Sequence, residues 1–398
     1  MTTETPPISQ ARSTVAGTVA FVVSAMPAFL TGASGVFLRE DLGFGATGLG
    51  LAVSAYFAAF AVVSVLGGRT AERLGASRAL KLTSLGAALV MLAIAGLVRD
   101  LATLVAVMAI GGLVNSVAEP ASNLALARRV VRRPATMFGI KQAAMPMATL
   151  LAGASVPLLG LTVGWRWTFV VGAALAGAVA LWLPSGLAPP RKRTSGRAVR
   201  EGDAATGPLV ALAAAAGVGS ASATALSPFL VGTAVESGMG VGPAGWLLVL
   251  GGLAAVLARP LAGWYADRGQ GRAMYAVATM MFVGAFGYAM IAVGGPFLVV
   301  GSVVAFSFGW GWMGLLVFAV VRLNPNAPAA ASGIMLTGGA SGAALGPFAF
   351  GVLVTTTSYP VAWSVAAAGA LVAMVLVLFA RGWLHRDRDR RAANSDQG

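Results

Sequence analysis

GGRTAERLGASR at positions 67–78 and AGWYADRGQGR at positions 262–272 decide how this chain is built. Gly68 matches Gly263, Glu72 matches Asp267 and Arg73 matches Arg268, each at an offset of 195 residues (263 − 68). Each copy reads as a short charged turn between two long apolar stretches. The same offset carries Gly43, Gly45 and Gly50 onto Gly238, Gly240 and Gly245, and Gly139-Ile140 recurs as Gly333-Ile334 at an offset of 194. An ordered series at a nearly fixed spacing marks an internal duplication. The chain reads as two homologous halves.

Composition says where those halves reside. Of 398 residues 58% are hydrophobic and only 10% charged, against roughly 25% charged in a soluble domain. Apolar runs near the ~20 residues needed to cross a bilayer follow one another, and the ten-residue alternation of a barrel strand is absent. The expectation is an all-α membrane protein. Twelve spans are expected, at 15–37, 46–67, 79–98, 101–125, 136–160, 167–184, 208–233, 242–264, 273–293, 296–321, 329–354 and 359–381. They form two pseudo-symmetric six-helix bundles. Six spans per half give both copies one orientation, related by an axis along the membrane normal.

The net charge of +14 follows the same map. Of 27 Lys and Arg, only Arg39, Arg99 and Arg166 fall at the far end, and Lys141 and Arg259 fall within spans. The remaining 22 gather at one end with both termini. Positive charge collects on the cytoplasmic side, so N- and C-termini are expected there, in a bacterial inner membrane. Topology and anionic lipid headgroups account for the basic balance, including Arg191-Lys192-Arg193, and nucleic acid is not an expected partner. Met1–Thr14 lacks a basic n-region and cleavage site, so span one is expected to be retained. There is no cysteine to form a disulfide. The expected domains are 1–185 and 207–398, each a six-helix bundle, joined by a Pro-, Ser- and charge-rich flexible linker over 186–206. From Arg381 the chain reads as a mixed-charge tail ending in disorder, and its one histidine, His385, lies there.

The paired G-x-x-x-[DE]-R turns after spans two and eight, with twelve spans in two halves, resemble the major facilitator superfamily (MFS) of secondary transporters. LREDLGFGATGLGLAVSAYF, MFGIKQAAMP, GWGWMGLL and SGIMLTGGASGAALGP resemble its cyanate/nitrate-transporter-like bacterial branch. The resemblance implies two bundles that rock about a central cavity. It also implies a gating role for Gly68, Glu72, Arg73, Gly263, Asp267 and Arg268, whose plainer reading is as positive-inside anchors. Two features depart from the superfamily's drug–proton antiporters. Met108 stands where they carry an arginine ahead of Gly111-Gly112, and Gly139-Ile-Lys-Gln-Ala143 lacks their Gly-Pro pair, with proline only at Pro146.

Ionisable residues inside spans are the candidates for chemistry, because each costs at least ~2.5–3.5 kcal/mol against lipid. Glu119 lies nine residues before Arg128, Lys141 eight after Arg133, and Arg259 eight before Asp267. All three therefore sit about 12–13 Å in from the same helix ends. Glu119 and Arg259 each precede a proline, which frees a backbone carbonyl. Lys141 and Arg259 are expected to bind an anionic group with Gln142 and Asn115 as hydrogen-bond partners, and Glu119 to pair with Lys141 or take a coupling proton. A structural charge layer is the alternative. Phe308 and Trp310 in span ten are cavity candidates, with Trp312 on another helix face. Ser220, Ser222, Thr224 and Ser227 give span seven a polar side.

The resulting expectation is a transporter of a small organic or inorganic anion, proton-coupled through Glu119 or Asp41. A monomer is expected to suffice. Efflux of amphipathic drugs is the alternative within transport, and a membrane-embedded enzyme or lipid scramblase the alternative outside it. One tail histidine, no cysteine and no paired intramembrane carboxylates offer little for metal, nucleophilic or acid–base work. No cofactor or metal is expected. No Walker Gly-Lys-Ser/Thr follows a strand, so nucleotide does not drive the chain.

Overall fold

The computed structural model describes residues 10–126, 134–187, 206–268, 273–324 and 328–395. Among these, twelve helices are long and apolar enough to cross a membrane. Most of the expected linker, Arg128, Arg133, Arg272 and the Arg191-Lys192-Arg193 tract lie outside the described residues, as does the side chain of His385.

The first half runs α1 (Gln10–Ala33), α2 (Gly35–Leu42), α3 (Ala46–Leu74), α4 (Ala76–Leu97), α5 (Leu101–Leu126), α6 (Pro134–Gln142), α7 (Ala144–Ser155) and α8 (Trp165–Trp182). The second runs α9 (Thr206–Thr224), α10 (Leu226–Glu236), α11 (Val241–Arg268), α12 (Ala273–Val293), α13 (Phe297–Val304), α14 (Met313–Leu323), α15 (Pro328–Thr356) and α16 (Tyr359–Ser395). Several spans are two helices joined at one residue. α1 hands over to α2 at Ser34, α6 to α7 at Ala143, and α9 to α10 at Ala225. π-helical turns at 156–160 and 305–309 interrupt spans five and ten.

Several helix boundaries differ from the sequence expectation. The charged segments are not turns: α3 and α11 continue through Gly67–Leu74 and Ala262–Arg268, and α3 stops only at Gly75. Gly75 has φ +77°, a left-handed backbone that only glycine adopts without strain. The first span extends through α2 to Leu42 and the seventh through α10 to Glu236. Past Arg381, α16 continues as helix to Ser395.

The two halves meet along two seams of different character. α11 packs against α6 and α7 over its whole length, from Gly252 beside Leu150 to the Gly139 backbone against the Arg259 carbonyl. α3 and α15 meet only at the end away from the charged segments. There Thr47 Oγ1 donates to the Gly351 carbonyl (3.2 Å), and the Phe348 N–H donates to Ser54 Oγ (2.9 Å). A Cβ on Gly50 would collide with the Pro347 carbonyl, so this approach requires glycine. Toward the charged end the same helices part: Val62 of α3 is 82% exposed, and Val65, Leu66 and Leu336 are exposed as well.

Candidate substrate-binding site

The ionisable residues expected inside the spans do lie between helices, in two separate arrangements. The first belongs to α5 and α6. Asn115 and Glu119 are four residues apart, hence on one face of α5. Lys141 is the penultimate residue of α6, just before the break at Ala143. Its Nζ donates to Glu119 Oε1 at 2.9 Å and lies 4.9 Å from the Phe21 ring centre of α1. Lys141 is 1% exposed and Glu119 27%. A buried lysine needs such a counter-ion, since removing one partner of a buried pair leaves the other charge uncompensated. Asn115 is buried nearby on α5, and its Oδ1 has no hydrogen-bond partner among the described residues.

The second arrangement belongs to α11 and the broken span ten. The π-turn at 305–309 ends the helix, and α14 begins only at Met313. The Trp310 carbonyl, left outside regular helix, accepts from Arg259 Nη2 at 2.9 Å. The guanidinium also lies 4.7 Å from the Trp310 ring centre, and that ring approaches Phe29 of α1 (5.8 Å) and Phe306 (5.8 Å). Arg259 is 7% exposed. It makes no ion pair among the described residues, and its Nη1 has no hydrogen-bond partner there. Beside it lies a recess of about 20 Å³ lined by Gln142 and Gly139 of the first half and Gly263, Gly311 and Gly314 of the second. That is room for about one water or one polar group.

The predicted residues therefore divide. Lys141 and Glu119 are joined, and Arg259, Trp310 and Gln142 gather at the seam. Lys141 and Arg259 do not share a partner set: Lys141 holds Glu119 beside the Phe21 ring, whereas Arg259 holds the Trp310 carbonyl and lies over its ring. Phe308 is not with Trp310. It is exposed on the far side of span ten, facing a groove between α11 and α12. Trp312 is buried in the second bundle, its Nε1 donating to the Gly309 carbonyl (2.8 Å). Met108 is fully buried, and its sulfur accepts from Thr31 Oγ1 (3.3 Å).

At the charged end the repeated segments behave unequally. Asp267 Oδ2 accepts from the Thr136 N–H (2.9 Å) and from Thr136 Oγ1 (2.7 Å). A carboxylate of the second half thus caps the start of α6 in the first. Gly263 is buried beside the recess, and Arg268 lies over Trp264 (3.5 Å) on the surface. Glu72 makes no ion pair among the described residues, Arg73 is exposed, and Gly68 has open space at its Cα. At the opposite end Arg39 Nη1 donates to Tyr359 Oη (3.1 Å) across the halves. Asp41 there is held by Arg166 (2.9 Å) and Trp165 Nε1 (3.2 Å), both of the first half.

A family model for the Major Facilitator Superfamily matches residues 17–347. The chain belongs to the major facilitator superfamily. Solved structures of similar fold are transporters. A nucleoside transporter, NupG, superposes with a TM-score of 0.75 at 15% identity, covering 93% of this chain and 99% of that one. The human organic anion transporter MFSD10 (TETRAN) gives 0.67 at 17%, covering 93% and 100%. A bacterial homologue of the human lysosomal transporter Spinster, inward-facing and occupied, gives 0.67 at 16%, covering 94% and 95%. No curated protein matches the sequence. At these identities the likeness is one of fold. As a superfamily member the chain is a multi-pass membrane protein and a secondary transporter of a small-molecule substrate.

Within this transporter the sequence reading passes over several residues that complete the geometry. Phe21 and Phe29 carry no sign among eighteen phenylalanines. Thr136 is an ordinary helix-start threonine until Asp267 is seen against it. The Trp310 carbonyl is invisible in any side-chain pattern.

Proposed function

We propose that this carrier moves a small organic or inorganic anion by alternating access, with Arg259 binding the anionic group. One observation carries this reading. Arg259 is buried at the seam between the bundles with no carboxylate paired to it among the described residues. A buried cation without a counter-charge is costly in a membrane, and an anionic solute supplies one. Trp310 holds one guanidinium nitrogen, which leaves Nη1 toward the solute, and Gln142 completes the recess from the other half.

The Lys141–Glu119 pair supplies a coupling element. Ionised, it is neutral overall. Protonation of Glu119 leaves the buried pair with a net positive charge, next in the chain to Gln142 of the recess, so proton and anion bind cooperatively. The charge distribution supports a cytoplasmic location for the charged end, and the anion assignment agrees with the resemblance to cyanate/nitrate-like carriers.

The test is uptake of labelled anions, nucleosides and cationic dyes by proteoliposomes, with and without a proton gradient. Anion uptake that Arg259→Gln abolishes and Glu119→Gln uncouples from the gradient is expected. Preference for dyes, or a full anion rate in Arg259→Gln, overturns the assignment. Export of amphipathic compounds is the second reading, favoured by the Phe29–Trp310–Phe306 cluster and weakened by the buried methionine at position 108.

A further inference from the structure

A second cavity lies away from the seam. α11 and α12 are consecutive in the chain but barely touch, and the groove between them, floored by span ten, encloses about 1290 Å³. Its walls are apolar along Leu257, Leu261, Met280 and Phe308, and the first two and Phe308 are exposed. At the charged end it is lined by two arginines. Arg322 lies 5.6 Å from the Phe318 ring and Arg381 3.7 Å from the Tyr275 ring. Tyr265 and Tyr275, both exposed, stand at that level, as tyrosines do at a membrane–water interface.

The length of the groove says what fits. On α11 the lining runs from Ala254 to Tyr265, eleven residues apart or about 16 Å of helix. One leaflet of hydrocarbon is about 15 Å deep, half of a ~30 Å core, so the groove is about as long as one leaflet is deep. A guanidinium carries several N–H donors in a planar fork that matches phosphate, and two such side chains lining one groove suit a phosphate diester. Basic pockets between spans at that level take anionic lipid headgroups.

We propose that the α11–α12 groove binds an anionic phospholipid, its phosphate on Arg322 and Arg381 and an acyl chain along Leu257, Leu261 and Phe308. The full-length protein in neutral detergent is titrated with phosphatidylglycerol, phosphatidylcholine or inorganic phosphate, following the thermal midpoint, with bound lipid counted by native mass spectrometry. Phosphatidylglycerol is expected to raise the midpoint and remain bound, with phosphatidylcholine and phosphate much weaker. Arg322→Gln with Arg381→Gln weakens lipid binding by roughly thirtyfold, the combined effect of two basic side chains at an anionic surface, whereas the double Lys variant retains most of it. Ala258→Phe narrows the groove and lowers binding while both arginines remain, which separates chain from headgroup recognition. Equal binding of phosphatidylcholine, an unchanged affinity in the double Gln variant, or an equal response to inorganic phosphate overturns the proposal. The last result assigns the arginines to a soluble anion instead.

Discussion

Asp267 holds α6 across the interface, and breaking that hold has a calculable effect. Thr136 is the third residue of α6, so its N–H is among the donors a helix start leaves unpaired. Asp267 satisfies that N–H and the hydroxyl together. Hydrogen bonds to a charged group contribute about 1.5–3 kcal/mol each, and the lower figure applies because Asp267 is partly exposed. Thr136→Ala removes one bond, about 1.5 kcal/mol, or roughly a tenfold shift toward a parted seam. Asp267→Ala removes both, about 3 kcal/mol, or more than a hundredfold. A parted state populated at about 1% therefore rises to about 10% in the first variant and becomes the majority in the second. The chain has no cysteine, so cysteines placed at the exposed Ile140 and Leu261 take spin labels cleanly. Double electron–electron resonance then reads the α6–α11 distance directly. Glu72→Ala, whose side chain pairs with nothing described, should leave the distribution unchanged. Identical distributions in Asp267→Ala and the parent protein would refute the reasoning.

Other outcomes follow from the same geometry. Lys141→Met strands Glu119 and should cost about 3–5 kcal/mol. Adding Glu119→Gln should recover most of that loss, read as paired thermal midpoints; no recovery means the two charges are not coupled. Gly50→Ala places a methyl against the Pro347 carbonyl and should cost about 1–3 kcal/mol as overpacking while slowing transport, and a parent-like rate and midpoint would argue against the α3–α15 contact. Asp100 precedes α5, and Thr103 donates to its carboxylate from the backbone (2.8 Å) and side chain (3.1 Å). Those bonds hold its carboxyl below the usual carboxylate value. Its contribution is therefore present above the unfolded value of about 3.9 and is lost as pH falls through the lower folded one. Asp100→Asn should flatten the acid limb of a stability–pH profile, and an unchanged limb would exclude this residue.

The spans were legible because apolar runs of bilayer length leave few alternatives, and the duplication because Gly68, Glu72 and Arg73 recur at one offset. Counting residues from helix ends also placed Glu119 and Lys141 at one depth. Other features depend on packing. The GGRT stretch looks like a turn, yet it stays helical because Gly67 packs against the Ser116 carbonyl of α5, and tertiary contact overrides glycine's poor helix propensity. Phe308 and Trp310 look like one aromatic patch, yet the π-turn between them and the break at Gly311 send them to opposite sides of span ten. In the sequence Lys141 and Arg259 look alike, two cations inside spans and both candidates for an anionic group. The structure separates them: Lys141 sits against the carboxylate of Glu119, whereas Arg259 has a backbone carbonyl and a ring but no carboxylate among the described residues.

The duplication also offers a test of symmetry that the chain fails in one place. At the offset of 194, Pro134 maps to Pro328 and Thr136 to Ala330. The mirror clasp, Glu72 against the start of α15, therefore lacks a hydroxyl to receive it. With one seam fastened and the other already parted at the charged end, the two bundles are expected to separate in sequence, not at once. The first passage to form is a wedge, wide on the α3–α15 side and closed on the other. A wedge admits solutes by their narrowest dimension, so the strength of one Asp–Thr contact is expected to set how large a solute can pass before the second seam must open.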